Sequence, residues 1–426
     1  MRGPLLLEPG DAPALALACL WGFCVLAAMY VIVPVRGAFL LTNYGAGVVP
    51  WVYIASAAAT GAAVWAYNLF AGAGRARLVG GTLLLLAASS AGWWVAAQWV
   101  STVGWIAFVF SLWADVASIM SVTVFWSYMN DVFRGERAKR WFGLIAASAA
   151  LGSIAASFAV HRLVRVVGTY PLLLAAAALT AATLGLMAAL ERWAAGRPAA
   201  VPEPPRPPTG VWREIYASRL LRLLALLVVL ERLVPDVANY LFYVQMRAAY
   251  PQQEALAAAF AAFAQWTNLA AFAAGVGIST WLLRAAGLEW SLASCAVPNL
   301  LGMGLYAVHP GLGVAVGFNA AEATFRYSVF KAGKETAYTA APKEVLYRAK
   351  SVIEMFLYRL ARGIAGFFLL VLSAPWLLAL SPVAVAAAGV PLALLWVWVA
   401  WRLADEFRGA TSAGRAAAGA LSARAD

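Results

Sequence analysis

Runs of about 20 apolar residues recur twelve times along this chain, and no other feature narrows its fold so far. That length spans the hydrocarbon core of a bilayer. Inside hydrocarbon the backbone must satisfy its own hydrogen bonds, so such runs are helices. A membrane β-barrel would show alternating segments of about ten residues instead, and none is visible. Helices are predicted over 12–34, 48–71, 77–98, 102–128, 140–161 and 169–191. A second set is predicted over 218–245, 254–282, 288–308, 311–330, 348–374 and 381–403. The fold class that follows is an all-α membrane protein of twelve transmembrane helices in two six-helix bundles.

Composition agrees. Of 426 residues, 64% are hydrophobic and 12% charged, with a mean hydropathy of +0.78. The net charge of +12 would suggest nucleic acid in a soluble protein, but here it points to basic residues gathered on the cytoplasmic side. No nucleic-acid partner is expected. The partners expected are the lipid bilayer and a small solute, with the chain as a monomer.

Between the two sets lies Gly196–Gly210, GRPAAVPEPPRPPTG. Six prolines in that stretch exclude a regular helix and predict an extended linker. The chain therefore divides into an N-terminal bundle (1–195), a cytoplasmic linker (196–217), a C-terminal bundle (218–403) and a tail (404–426). That tail is predicted to be disordered or a short surface helix.

Orientation follows from the basic residues. With both termini in the cytoplasm, the inner loops hold Arg75, Arg77, Arg134, Arg137, Lys139 and Arg140, the linker arginines, and the Lys331–Lys350 stretch. The outer loops hold Arg36, Arg162, Arg165 and Arg247. This asymmetry supports an even number of spans, and the excess of Arg over Lys with abundant Ala suggests a bacterial source, so a bacterial inner membrane is expected. The first apolar run continues through Pro34 without a small-residue cleavage site, so it reads as an uncleaved span.

No phosphate-binding glycine loop, nucleophile elbow or metal-ligand cluster is visible, and Gly333-Lys334-Glu335 lacks the spacing of a P-loop. The chain reads as a non-enzyme with no cofactor and no metal. Cys19, Cys24 and Cys295 read as small buried side chains. His161 and His309 read as surface residues near helix ends.

The informative residues are charges inside the spans, each costing roughly 2.5–3.5 kcal/mol when central. Asp115 lies in the fourth span, and Glu231, Arg232 and Asp236 in the seventh. Glu322 and Arg326 lie in the tenth, and Glu354, Arg359 and Arg362 in the eleventh. Glu322 with Arg326, and Arg232 with Asp236, are four residues apart and share a helix face. Arg359 and Arg362 also share a face but cannot neutralise each other. They require an anion, either a carboxylate from another helix or a ligand, and the planar guanidinium suits phosphate. Pro235 marks a candidate break in the seventh span. Gly313-xxx-Gly317 and Ser148-xxx-Gly152 read as close helix packing. The tryptophans read as interfacial anchors, with Trp126 a candidate to stack on a base.

Four stretches resemble one family, the nucleotide transporters of the ATP/ADP translocase type found in obligate intracellular bacteria and plastids. They are PVRGAFLLTNYGAGVVPW (Pro34–Trp51), FWSYMNDVFRGERAKRWFG (Phe125–Gly143), RYSVFKAGKETAYT (Arg326–Thr339) and YRAKSVIEMFLYR (Tyr347–Arg359). The resemblance implies a major-facilitator-like fold and exchange of nucleotides, ATP against ADP in the typical case, by alternating access. It makes Arg36 and Lys350 candidate phosphate contacts beside Glu322, Arg326, Arg359 and Arg362. It puts Asn130, Asp131, Lys139 and Arg140 at a cytoplasmic gate, with Lys334 and Glu335 as their counterparts in the second half. Asp115, Glu231 and Glu354 complete the gating or coupling candidates. Two other readings compete: a proton-coupled carrier of another organic anion, and a non-transporting membrane scaffold or sensor.

Overall fold

The structure, a computed structural model, describes residues 11–70, 72, 74–99, 104–133, 135–195, 210–277, 285–341, 349–350 and 352–422. The linker predicted at 196–210 lies almost wholly outside them. Among the described residues every regular element is helical. The first six helices are α1 (Asp11–Tyr44), α2 (Val49–Leu69), α3 (Arg75–Ala96), α4 (Trp105–Val132), α5 (Gly135–Val167) and α6 (Tyr170–Ala194). A short helix α7 (Val211–Ala217) occupies part of the predicted linker and precedes α8 (Arg219–Ala249) and α9 (Gln253–Gly277).

The remaining spans are less regular than the sequence predicts. The ninth is two helices, α10 (Gly287–Ala293) and α11 (Ala296–Val308), bent by 47°. Pro298 accounts for the bend. It lacks the N–H that would bond the carbonyl of Ser294. The seventh span, where Pro235 marked a candidate break, is one continuous helix. The tenth runs from α12 (Leu312–Phe325) through a π-helical turn (Arg326–Phe330) into α13 (Lys331–Tyr338), eight residues beyond its predicted end. The eleventh opens with a second π-helical turn (Val352–Leu357) and continues as α14 (Tyr358–Ser373). The last helix, α15 (Pro382–Ser422), takes in most of the predicted tail. Arg408 on Glu289 at 2.8 Å and Arg219 on Glu406 at 3.3 Å tie down its polar end.

Nine helices among the described residues are long and apolar enough to cross a membrane, and the bent α10–α11 pair makes ten. The other two of the twelve runs are charge-rich α8 and the π-interrupted α12–α13. Helix starts and stops follow local chemistry. Pro50 opens α2 and Pro171 opens α6, where a missing N–H costs nothing. Gly45 and Gly168 close α1 and α5 with positive φ, each donating its N–H to the carbonyl four residues back.

The chain forms two compact units. The first comprises Met1–Val48, Ala58–Pro204 and Met246–Leu269. In it α1 packs on α4, α5 and α6, and α3 on α4 and α6. Trp21 is fully buried against Phe125 and Tyr128, with Phe133 and Trp141 in contact nearby. Gly152 lets α5 press on the backbone of Phe23, and the Ser148 hydroxyl donates to the Cys19 carbonyl at 2.9 Å. The small-residue pair at 148 and 152 is thus a packing site. Gly313 and Gly317, by contrast, have open space around them, and the close approach in that region is Gly302 on Phe318.

The second unit comprises Val49–Ala57, Pro205–Gln245 and Ala270–Asp426. Here α11 packs on α12 and α15, and α10 on α13 and α15. Trp396 is fully buried against Phe330. Trp21, Trp141 and Trp396 are therefore core residues rather than interfacial anchors, while Trp51, Trp65, Trp99, Trp105 and Trp376 are exposed. His309 is exposed, but His161 is half-buried with its Nδ1 3.1 Å from the Ala258 carbonyl oxygen. Cys24 and Cys295 are buried and Cys19 half-buried, all as free thiols.

Candidate functional site

The second unit gathers most of its intramembrane charge onto three spans. On α8, Arg232 and Asp236 form the expected pair at 2.9 Å. Arg232 also donates to the Tyr358 hydroxyl at 3.1 Å and lies over that ring. On α12 and its π-helical extension, Glu322 accepts both arms of Arg326 at 2.7 and 2.6 Å. Both pairs are internal, as the four-residue spacing predicts.

Lys334 differs from its expected place. It was paired with Glu335 at a cytoplasmic gate, but the two separate. The tenth span stays helical through Tyr338, so Lys334 turns inward and is only 7% exposed at its side chain. At 100° per residue a plain α-helix would set Lys334 about 120° round from Glu322. The wider π-helical turn between them unwinds part of that offset. Lys334 then meets Glu231 of α8 with both carboxylate oxygens at 2.9 and 2.7 Å, and Glu354 of the eleventh span at 3.1 Å. The other Glu354 oxygen accepts from the Tyr338 hydroxyl at 3.0 Å. Glu335 instead pairs with Lys350 at 2.5 Å, and the Lys350 ammonium lies over the Tyr338 ring. Lys350, a candidate phosphate contact, thus has a carboxylate partner of its own.

Arg359 and Arg362 lie on one face of α14, as their spacing predicts, but in different surroundings. Arg362 lies over the ring of Tyr53, on the stretch of α2 that belongs to this unit, at 4.9 Å. Nearby, Gly363 contacts Ala57, and Gly366 leaves only 2.7 Å between an ideal Cβ and the Pro50 carbonyl oxygen. Arg359, Arg362, Gly363 and Gly366 follow the i, i+3, i+4, i+7 spacing of one stripe. Arg359 is thus on the stripe that leans on α2, one turn before the contact begins. It is half-buried and has no acidic partner among the described residues.

In the first unit, Arg36 and Asp115 form an ion pair between α1 and α4, with side chains 13% and 9% exposed. The candidate phosphate contact and the candidate coupling acid therefore hold each other. At the α4–α5 junction Asn130 and Asp131 are exposed and Arg140 is half-buried. The side chain of Lys139 lies outside the described residues. Trp126 packs edge-on against Phe142 and Phe125, as part of the core. A pair not anticipated is Arg75 with Glu191, a two-armed contact at 3.1 Å with Arg75 over the Tyr128 ring.

Tyr53, Tyr338 and Tyr358 were missed. Tyr338 had a signal, since it stands four residues after Lys334 on one helix face. The other two are set by tertiary contact. No three His, Cys, Asp or Glu residues among those described are grouped to hold a metal ion.

No protein-family model and no curated protein matches this sequence. Solved structures do match. A mutant form of the nucleoside transporter NupG superimposes with a TM-score of 0.68 at 12% identity, covering 92% of this chain and 99% of that one. A bacterial homologue of the iron transporter ferroportin in an inward-facing state gives 0.68 at 14%, with coverages of 92% and 99%. A POT family transporter in complex with 5-aminolevulinic acid gives 0.67 at 11%, with coverages of 96% and 98%. At such low identity the likeness carries the fold. The chain is an all-α membrane protein with the major-facilitator-like architecture expected from its sequence.

Proposed function

We propose that this protein is a secondary transporter that exchanges nucleotides or closely similar polyphosphate anions by alternating access. The observation that carries the reading is Arg359. It is a half-buried cation within a span, with no acidic partner among the described residues. An unpaired charge in a span is costly, so it faces a ligand or a water-filled space. The neighbouring cations Arg232, Arg326, Lys334 and Lys350 all have carboxylate partners. The four stretches that resemble nucleotide transporters name the anion. Shared fold with a nucleoside transporter and other small-solute carriers supports the transport step. The distribution of basic residues favours an orientation with both termini in the cytoplasm.

The test is counterflow in proteoliposomes loaded with unlabelled nucleotide. Labelled ATP, ADP or GTP should accumulate transiently, and Arg359→Ala should abolish the accumulation. If none of the three exchanges, nucleotides are not the substrate. If Arg359→Ala exchanges like the wild type, Arg359 is not the anion contact.

A further inference from the structure

We propose that Tyr327 is the aromatic contact of the transported solute, so that the anion met by Arg359 carries a planar base. This rests on the reading of Arg359 as the anion contact. It narrows the ligand from polyphosphates in general to nucleotides.

Tyr327 lies in the π-helical turn Arg326–Phe330 of the tenth span. Such turns are frequent at functional sites. Ser328, Val329 and Phe330 are buried and Arg326 is half-buried, while Tyr327 is 62% exposed. Among the described residues its hydroxyl has no hydrogen bond and its ring no stacking partner.

A tyrosine in a span is exposed either to hydrocarbon or to an aqueous space, and the surroundings decide which. Tyr327 interacts electrostatically with Arg326, Glu322 and Arg232 and with the Tyr358 hydroxyl. The side chains of Arg326 and Arg232 are 16% and 15% exposed, and that of Glu322 is 4% exposed. Intramembrane charges face the interior of a bundle, so a ring beside two such ion pairs is on the polar side of its helix. On the lipid side its unpaired hydroxyl would also be stranded in hydrocarbon. The exposed ring therefore borders water.

What it binds follows from what its neighbours leave over. Arg326 is spent on Glu322, and Arg232 on Asp236. Tyr358 accepts from Arg232 at its hydroxyl and has that guanidinium over its ring. The two pairs carry no net charge. What remains free at Tyr327 is a flat, weakly polar face with a hydroxyl at its rim. That face suits a planar aromatic ring, and stacking there tolerates any base. An anion contact follows directly. Tyr358 precedes Arg359 in the chain, and both share a face of α14 with Arg362. All of these residues belong to the second unit. A solute that uses both contacts joins an aromatic ring to an anionic group, which is the chemistry of a nucleotide.

The test uses the full-length protein in nanodiscs and two probes, ADP and inorganic pyrophosphate, with dissociation constants from calorimetry. Tyr327→Ala should weaken ADP roughly 5- to 150-fold, the range that stacking on one aromatic side chain supplies. It should leave pyrophosphate unchanged. Tyr327→Phe keeps the ring and should bind ADP like the wild type. Arg359→Ala should weaken both probes. Equal ADP affinity in Tyr327→Ala and wild type overturns the base contact. So does an equal loss for both probes, or a loss in Tyr327→Phe as large as in Tyr327→Ala. If the wild type binds pyrophosphate as tightly as ADP, the base contact falls while the anion reading stands. If it binds neither, the two fall together. Should Tyr327→Ala not fold, Tyr327→Cys takes its place. A charged, water-soluble thiol reagent should label it, and ADP should protect it. Absence of labelling puts the side chain in lipid and overturns the proposal whether or not ADP binds.

Discussion

Replacing Lys334 with Met tests whether the buried cluster is held by its one cation. The ammonium sits 2.7–2.9 Å from Glu231 and 3.1 Å from Glu354. At an effective dielectric of about 20, each arm near 3 Å is a gross attraction of about 5–6 kcal/mol. Desolvation offsets most of it, but only while the pair is intact. Removing one partner of a buried pair typically costs 3–5 kcal/mol, because the other charge is left uncompensated. Here two carboxylates are left facing each other, so we expect Lys334→Met at the upper end, about 5 kcal/mol. Met keeps the unbranched stem, so lost packing contributes little. Adding Glu231→Gln removes one stranded charge and should restore about 2–3 kcal/mol. Thermal unfolding in detergent can be followed with a thiol-reactive dye, since Cys24 and Cys295 are buried and Cys19 half-buried. The expected order of melting temperature is wild type, then the double variant, then Lys334→Met alone. If Glu231→Gln lowers the melting temperature of Lys334→Met further, the two side chains are not coupled and the cluster as drawn is wrong.

Two further outcomes follow from close contacts. At Gly366 an ideal Cβ lies 2.7 Å from the Pro50 carbonyl and 2.8 Å from Ile54 Cγ1. Gly366→Leu should therefore cost about 1–3 kcal/mol by overpacking, visible as a lowered melting temperature, whereas Gly313→Leu, in open space, should not. Arg75 starts α3 and Glu191 lies in the last turns of α6, so each opposes its own helix dipole while holding the other. Their side chains are 32% and 26% exposed, so Arg75→Lys, which loses the two-armed geometry, should cost no more than about 1 kcal/mol. A larger drop in melting temperature would mean that the pair is shielded from solvent.

The helices were legible in the sequence because apolar length alone demands them. The i,i+4 pairs were legible because they depend on one helix only. Failures came where a helix was interrupted or prolonged. Ending the tenth span at 330 put Lys334 in a loop beside Glu335. The continuation to Tyr338 turns it into the interior. No residue pattern announced the π-helical turns at Arg326–Phe330 and Val352–Leu357, and we have no sequence-level account of them. Pro235 and Pro298 are both prolines within spans. Only the second coincides with a bend, where Pro298 has no N–H for the Ser294 carbonyl, while Pro235 lies inside a continuous helix. Arg36 and Asp115 stand 79 positions apart, so their pairing is a tertiary fact.

The pairings narrow the candidate site more than they enlarge it. From sequence, six residues were assigned to the substrate: Arg36, Glu322, Arg326, Lys350, Arg359 and Arg362. Four of them spend their charge on a protein partner: Arg36 on Asp115, Lys350 on Glu335, and Glu322 with Arg326 on each other. A paired charge contributes little net attraction to a ligand unless the pair opens first. Arg362 is already stacked on Tyr53. We propose that anion recognition falls on Arg359, the cation that stands out only after the internally satisfied pairs are removed.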